Sequence, residues 1–216
     1  YWREFRISGT TLLGAAIGLA LGGALNHYAS NLFGPALLKE FGWSKADLAF
    51  TQSFGLLTMP FVPLAGWVAD RFGPRVAALI GFIMVPLSYF LYSMMTGPIW
   101  QYYAITMFHM LFSVLTTTLV FTRVIVQRFD AARGMALSIL MTGAPLAAAI
   151  FLPVLGSIIA GDGWRSGYHL MALLTSAAGA IAILTMGKEN GKAVDRPKLT
   201  LAKFRELTSH PGFMLL

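Results

Sequence analysis

Wound at about 100° per residue, His109, Ser113, Thr116, Val120, Arg123 and Gln127 fall within about 40° of one line. The surrounding residues are apolar, so the stretch reads as a helix with one wet stripe. An imidazole titrates near roughly pH 6.5 when unperturbed, which makes His109 a candidate for proton coupling. A satisfied buried imidazole is the competing reading. Arg123 is either a contact for an anion or a boundary base whose stem lies along apolar surface. His109 and Arg123 lie 14 residues apart, roughly 21 Å along a helix, so one small ligand would not touch both. Thr116 is expected to face a water-filled path between them.

A second polar line recurs every four residues, at Gly14, Gly18, Gly22, Asn26 and Ser30, with His27 beside it. It is either a small-residue packing seam, with Asn26 bonded to a neighbouring helix, or the lining of a cavity. Thr51, Gln52, Ser53 and Thr142 are plausible minor contacts. Tyr89 and Tyr92 read as packing, and His169 and His210 as edge residues. No carboxylate lies within the apolar stretches, which argues against a carboxylate proton relay. The chain has no Cys and no H-E-x-x-H pair, and Gly163-Trp164-Arg165-Ser166-Gly167 has the wrong spacing for a serine nucleophile turn. No enzyme activity, metal site or cofactor is expected.

The elements that hold these residues follow from where the charges fall. Among 216 residues 56% are hydrophobic and only 12% charged, half the usual share of a soluble domain, about 25%. Asp, Glu, Lys and Arg are absent from Ile7–Leu38, Leu48–Ala69, Val76–Thr122, Gly134–Gly161 and Ser166–Gly187. About 20 apolar residues in a helix cross a bilayer, and lipid offers the backbone no partners, so these runs are helical. Thr96-Gly97-Pro98 divides the longest run. Six spans are expected, at 9–33, 48–69, 76–96, 100–122, 135–159 and 167–187.

Of the Lys and Arg, 13 fall on one side of this arrangement and only Lys39, Lys45 and Arg165 on the other. That asymmetry places both termini in the cytosol and accounts for the net charge of +7, with no nucleic-acid partner required. The expected organisation is a six-helix bundle over 1–187, a basic cytosolic linker over 188–212, and the start of a seventh helix at 213–216.

Between the second and third spans the chain reads Gly66-Trp67-Val68-Ala69-Asp70-Arg71-Phe72-Gly73-Pro74-Arg75. This resembles the G-x-x-x-D-R-x-G-x-R signature of the major facilitator superfamily, in its usual place. Gly66 allows close helix approach, Gly73 and Pro74 turn the chain, and Asp70 and Arg75 are expected to pair across two helix ends as a conformational gate. Arg71 completes the motif, and Asp130 is a third charge at that face. Glu40-Phe41-Gly42-Trp43-Ser44-Lys45, Arg128-Phe129-Asp130, Arg133-Gly134-Met135-Ala136 and Gly163-Trp164-Arg165 are similar to segments of the monocarboxylate and oxalate–formate branch, with Arg128 where Trp is usual. Gly143-Ala144-Pro145 departs from the antiporter motif of drug exporters.

The resemblance implies an all-α membrane fold of two inverted three-helix repeats, half of a twelve-helix transporter. It implies a plasma (inner) membrane protein that moves a small organic anion by alternating access, with a second six-helix half as partner. The alternatives are a multidrug-type exporter and a receptor or partner subunit built on the same fold. The substrate-binding bases best known in that branch lie in the second half and have no counterpart here.

Overall fold

The computed structural model describes residues 2–186; the expected linker at 188–212 and the seventh-helix start at 213–216 lie outside the described residues. The described chain is helical, with no strand among those residues. The helices are α1 (Trp2–Leu21), α2 (Gly23–Phe41), α3 (Lys45–Phe50), α4 (Phe54–Thr58), α5 (Phe61–Phe72), α6 (Pro74–Ser93), α7 (Ile99–Ser113), α8 (Thr118–Arg128), α9 (Arg133–Asp162) and α10 (Trp164–Thr185). Single 3-10 turns at Thr51–Ser53 and Val114–Thr116 join α3 to α4 and α7 to α8.

Five lengths are long and apolar enough to cross a bilayer: Trp2–Phe41, Pro74–Ser93, Ile99–Arg128, Arg133–Asp162 and Trp164–Thr185. The sixth is a bent pair, Lys45–Thr58 and Phe61–Phe72, at 53°. The bend has a covalent cause. Pro60 and Pro63 carry no backbone N–H, so the helical ladder loses donors where the two pieces meet.

Most spans begin or end beyond their charge-free runs, and the second has a side-chain cap at its start. Ser44 accepts the Asp47 N–H at 3.2 Å while the Asp47 carboxylate accepts the Ser44 N–H at 2.8 Å, a capping box that starts α3 at Lys45. At Gly73, φ is +89° and Pro74 opens α6; only glycine holds that backbone without strain.

Two differences from the sequence expectation concern continuity. The first span is interrupted at Gly22, where ψ is −147°, and the fourth at Val114–Thr117, where Thr117 is extended. Each was expected to be one unbroken helix. Glycine pairs and runs of threonine carry low helix propensity, which makes these the cheapest places for a helix to be interrupted.

The interior forms two clusters. One includes Leu12, Leu19, Ala69, Phe82, Phe121, Ile125 and Leu140 and lies toward the Asp70 end of the bundle. The other includes Leu25, Phe33, Leu37, Tyr89, Leu155, Trp164 and Tyr168 and lies toward the Glu40 end. Helices α6 and α10 run through both. They pack so closely that a Cβ on Gly179 would stand 2.6 Å from Cβ and Cγ of Phe82. Gly179→Val is therefore expected to overpack the crossing by about 1–3 kcal/mol, read as a fall of several degrees in the thermal unfolding midpoint of the purified protein. An unchanged midpoint would show that the crossing relaxes freely.

Candidate functional site

A polar pocket of about 80 Å³ opens in the Glu40 half of the bundle. Asn26, His27 and Ser30 of α2, Thr51 and Gln52 of the first 3-10 turn, Tyr92 of α6, Tyr102, Thr106 and Met110 of α7, and Tyr168 of α10 line it. Tyr92 donates its hydroxyl to Thr106 Oγ1 at 2.8 Å, and Thr106 donates to the Tyr102 carbonyl at 2.7 Å. Tyr168 stacks between Phe33, at 3.9 Å and 8°, and Tyr92, at 4.8 Å and 11°. This stack fixes one wall, so the hydroxyl and amide groups around it are presented on a rigid support. No Lys or Arg lines the pocket. Its chemistry is that of neutral donors and acceptors beside aromatic faces, with room for a small polar group.

Of the residues proposed from sequence, Asn26, His27 and Gln52 meet here. The four-residue line on the first span divides at the Gly22 break. Gly14 and Gly18 lie against Thr185, Phe121 and Ala182 as a packing seam, whereas Asn26 and Ser30 line the pocket.

The fourth-span stripe is corrected. His109 is 2% exposed, its Nδ1 lies 2.7 Å from Ser88 Oγ, and its ring packs on Tyr89 at 5.1 Å. Ser88 spends its one proton on the Val85 carbonyl, so His109 Nδ1 carries the hydrogen and donates. Thr116 is fully buried between helices, not facing water, and Ser113 bonds back to the Met110 carbonyl at 3.0 Å. The 3-10 turn between α7 and α8 changes the angular step, so residues on one line of an ideal helix no longer share a face. Thr142 bonds to the Ser138 carbonyl and lines a different cavity, an apolar groove of about 510 Å³ between α1 and α9.

At the signature loop an ion pair reaches in from another span. Asp70 Oδ1 accepts Arg123 Nε at 3.1 Å, joining α5 to α8, and Arg123 Nη1 also donates to the Leu119 carbonyl. Arg123 is thus tied to the signature loop and is not a lone boundary base. A Cβ on Gly66 would lie 3.5 Å from Arg123 Nη2, so Gly66 leaves room for the guanidinium to pass across α5. Arg71 stands over Trp67, 5.6 Å from the ring centroid, and Arg75 is half-buried at the start of α6. Asp130 pairs with Arg133 at 3.2 Å.

Two segments that the sequence had only marked as family-like meet at the other end, with the loop after the third span. Glu40 accepts the indole N–H of Trp164 and, at 2.7 Å, Arg165 Nη1. Arg165 lies 4.1 Å over the Trp164 ring, and the Trp43 indole donates to the Gly97 carbonyl at 2.8 Å. Loops of the first, third and sixth spans are clamped together above the pocket. Sequence reading missed this clamp, and it missed Tyr102, Thr106 and Tyr168. Spacing held one usable signal: Tyr102, Thr106 and Met110 recur at i, i+4, i+8, one helix face of α7.

A bundle of membrane-capable helices, with a charged pair at the signature loop and a polar pocket between spans, defines a helical membrane transport fold. The sequence matches the Major Facilitator Superfamily over residues 19–216, and the chain belongs to that family. Among solved structures it is similar to a crystal structure of a peptide transporter POT mutant in complex with alafosfalin. The TM-score is 0.71 at 19% identity, over 93% of this chain and 43% of that one. The chain therefore spans less than half the length of that transporter. Among curated proteins, none matches. Membership in the monocarboxylate branch is not among these findings.

Proposed function

We propose that the chain forms the amino-terminal half of a secondary transporter that moves a small organic anion across the plasma membrane by alternating access. The polar pocket carries this reading. Its neutral donors would grip the uncharged polar part of the solute, and the bases that meet the anionic charge would come from the opposing half. The apolar groove between α1 and α9, bordered by Leu13, Leu146 and Ile150, would receive that second half. The Asp70 end would face the cytosol, in keeping with its share of Arg and Lys. Proton coupling, if the transporter uses it, would draw on His27 at the pocket in preference to His109, which is enclosed.

Asn26→Ala and Gln52→Ala in the assembled transporter are each expected to raise KM for uptake about fivefold, the worth of one uncharged hydrogen bond. Initial rates of radiolabelled carboxylate uptake in proteoliposomes measure this. Unchanged KM in both variants would remove the pocket from the solute path.

A further inference from the structure

The break in the first span lies where the two interior clusters meet, and its backbone groups are satisfied by hydroxyls from other spans. Gly23 donates its N–H to Thr116 Oγ1 at 2.9 Å. Thr175 Oγ1 of α10 donates to the carbonyl of Leu21, on the other side of the break, at 2.8 Å. Both threonines are fully buried. Thr116 also donates to the Ser113 carbonyl at 2.9 Å, where the fourth span is interrupted. A hydroxyl has one proton to give and lone pairs to receive, so Thr116 serves both breaks without conflict.

The fit depends on absent side chains. A Cβ on Gly23 would fall 2.5 Å from Ser113 Cβ, and one on Gly81 would fall 2.6 Å from Thr116 Cγ2. In the middle of a bilayer a freed amide or carbonyl needs such a partner, because no water replaces it. Without the two hydroxyls the favourable course for residues 21–25 is to close the gap into one continuous helix. That closure would change the rotation of everything after it. Asn26, His27 and Ser30 lie in the first two turns of α2, so the rotation of α2 decides whether they meet the pocket.

We infer that Thr116 and Thr175 are positioning residues: their hydroxyls hold the first span open at Leu21–Gly23 and so turn Asn26, His27 and Ser30 into the polar pocket. The functional meaning rests on the pocket being the solute site, but the geometry does not, and a test that reads geometry alone keeps the two apart.

The chain contains no Cys, so single cysteines can be placed at positions 25 to 30 and their reaction with a hydrophilic methanethiosulfonate followed in lipid nanodiscs. With both threonines present, positions 26, 27 and 30 are expected to react, and Leu25 and Ala29, at 1% and 0% exposure, to stay protected. Thr116→Val and Thr175→Val are expected to slow labelling at 26 and 30 about tenfold or more as the population shifts to the closed helix, with faster reaction at a neighbouring position. Thr116→Ser and Thr175→Ser should restore the original pattern, which a loss of packing alone would not predict. The same pattern in the valine variants as in the unaltered chain would overturn the inference. Should the valine variants fail to give a monodisperse protein, hydrogen exchange in the unaltered chain decides. The Gly23 amide must then be protected, and exchange at the rate of an open amide overturns the inference equally. Failure of Asn26→Ala and Gln52→Ala to alter uptake would reject the solute site and leave this labelling result standing.

Discussion

Asp70→Asn is expected to lower the turnover of the assembled transporter about tenfold, with surface expression and KM little changed. The carboxylate holds Arg123 across the ends of α5 and α8, beside a glycine that leaves room for the guanidinium. Neither group is fully exposed, with 23% of the Arg123 side chain and 32% of the Asp70 side chain accessible. The pair is therefore less screened than a surface salt bridge, whose worth is typically under about 1 kcal/mol. Replacing the carboxylate removes the charge that balances Arg123 and shifts the equilibrium between inward- and outward-open states. A ligand-independent shift of about 1.4 kcal/mol is tenfold in a population. Arg123→Gln should give the same loss without weakening solute affinity, because Arg123 belongs to the gate. Reversing the pair, Asp70→Arg with Arg123→Asp, should recover part of the rate. Equal turnover in Asp70→Asn at equal expression would remove the gating role, and a large rise in KM for Arg123→Gln would return that residue to the solute path.

The largest effect concerns completeness. This chain alone, monomeric in proteoliposomes, is expected to give no solute flux above protein-free vesicles. In the proposed transporter the described bundle would supply one wall of the path. Its polar pocket opens at the surface, with His27 and Gln52 exposed, and the apolar groove of about 510 Å³ has no covering element among the described residues. A rocking mechanism requires an opposing body to rock against. Flux by the monomer would mean that six spans suffice, and the proposed role of a second half would fall. Co-reconstitution with the opposing half should restore it.

The sequence carried most of the architecture because bilayer physics leaves few choices. Charge-free runs located six spans, and the signature loop located the turn between the second and third. The site was less legible, and the reasons are particular. Asn26, His27 and Gln52, which line the pocket, stood out because each is a polar group in an apolar run. Tyr92, Tyr102 and Tyr168 did not, because an aromatic residue in such a run looks like packing until it is seen to line a polar pocket. The His109–Arg123 stripe failed for a geometric reason: it assumed a constant angular step across Val114–Thr117, where the helix tightens to a 3-10 turn and stops. Arg123 reaches Asp70 from another span, a contact that spacing cannot reveal. The clamp at Glu40, Trp164 and Arg165 was hidden in the same way. Its motifs were visible separately, but nothing in the sequence said that they touch.

A transporter carries its solute across the membrane, whereas a receptor on the same fold only binds one. The most direct measurement sets equilibrium binding beside flux for the same panel of small carboxylates, using the assembled transporter in sealed vesicles with and without an imposed proton gradient. At least one carboxylate is expected to bind, accumulate inside and exchange across the membrane, and Asp70→Asn to slow accumulation while leaving binding in place. Binding of a carboxylate with no flux in either direction, with or without the gradient, would contradict that expectation and make the protein a receptor on a transporter fold.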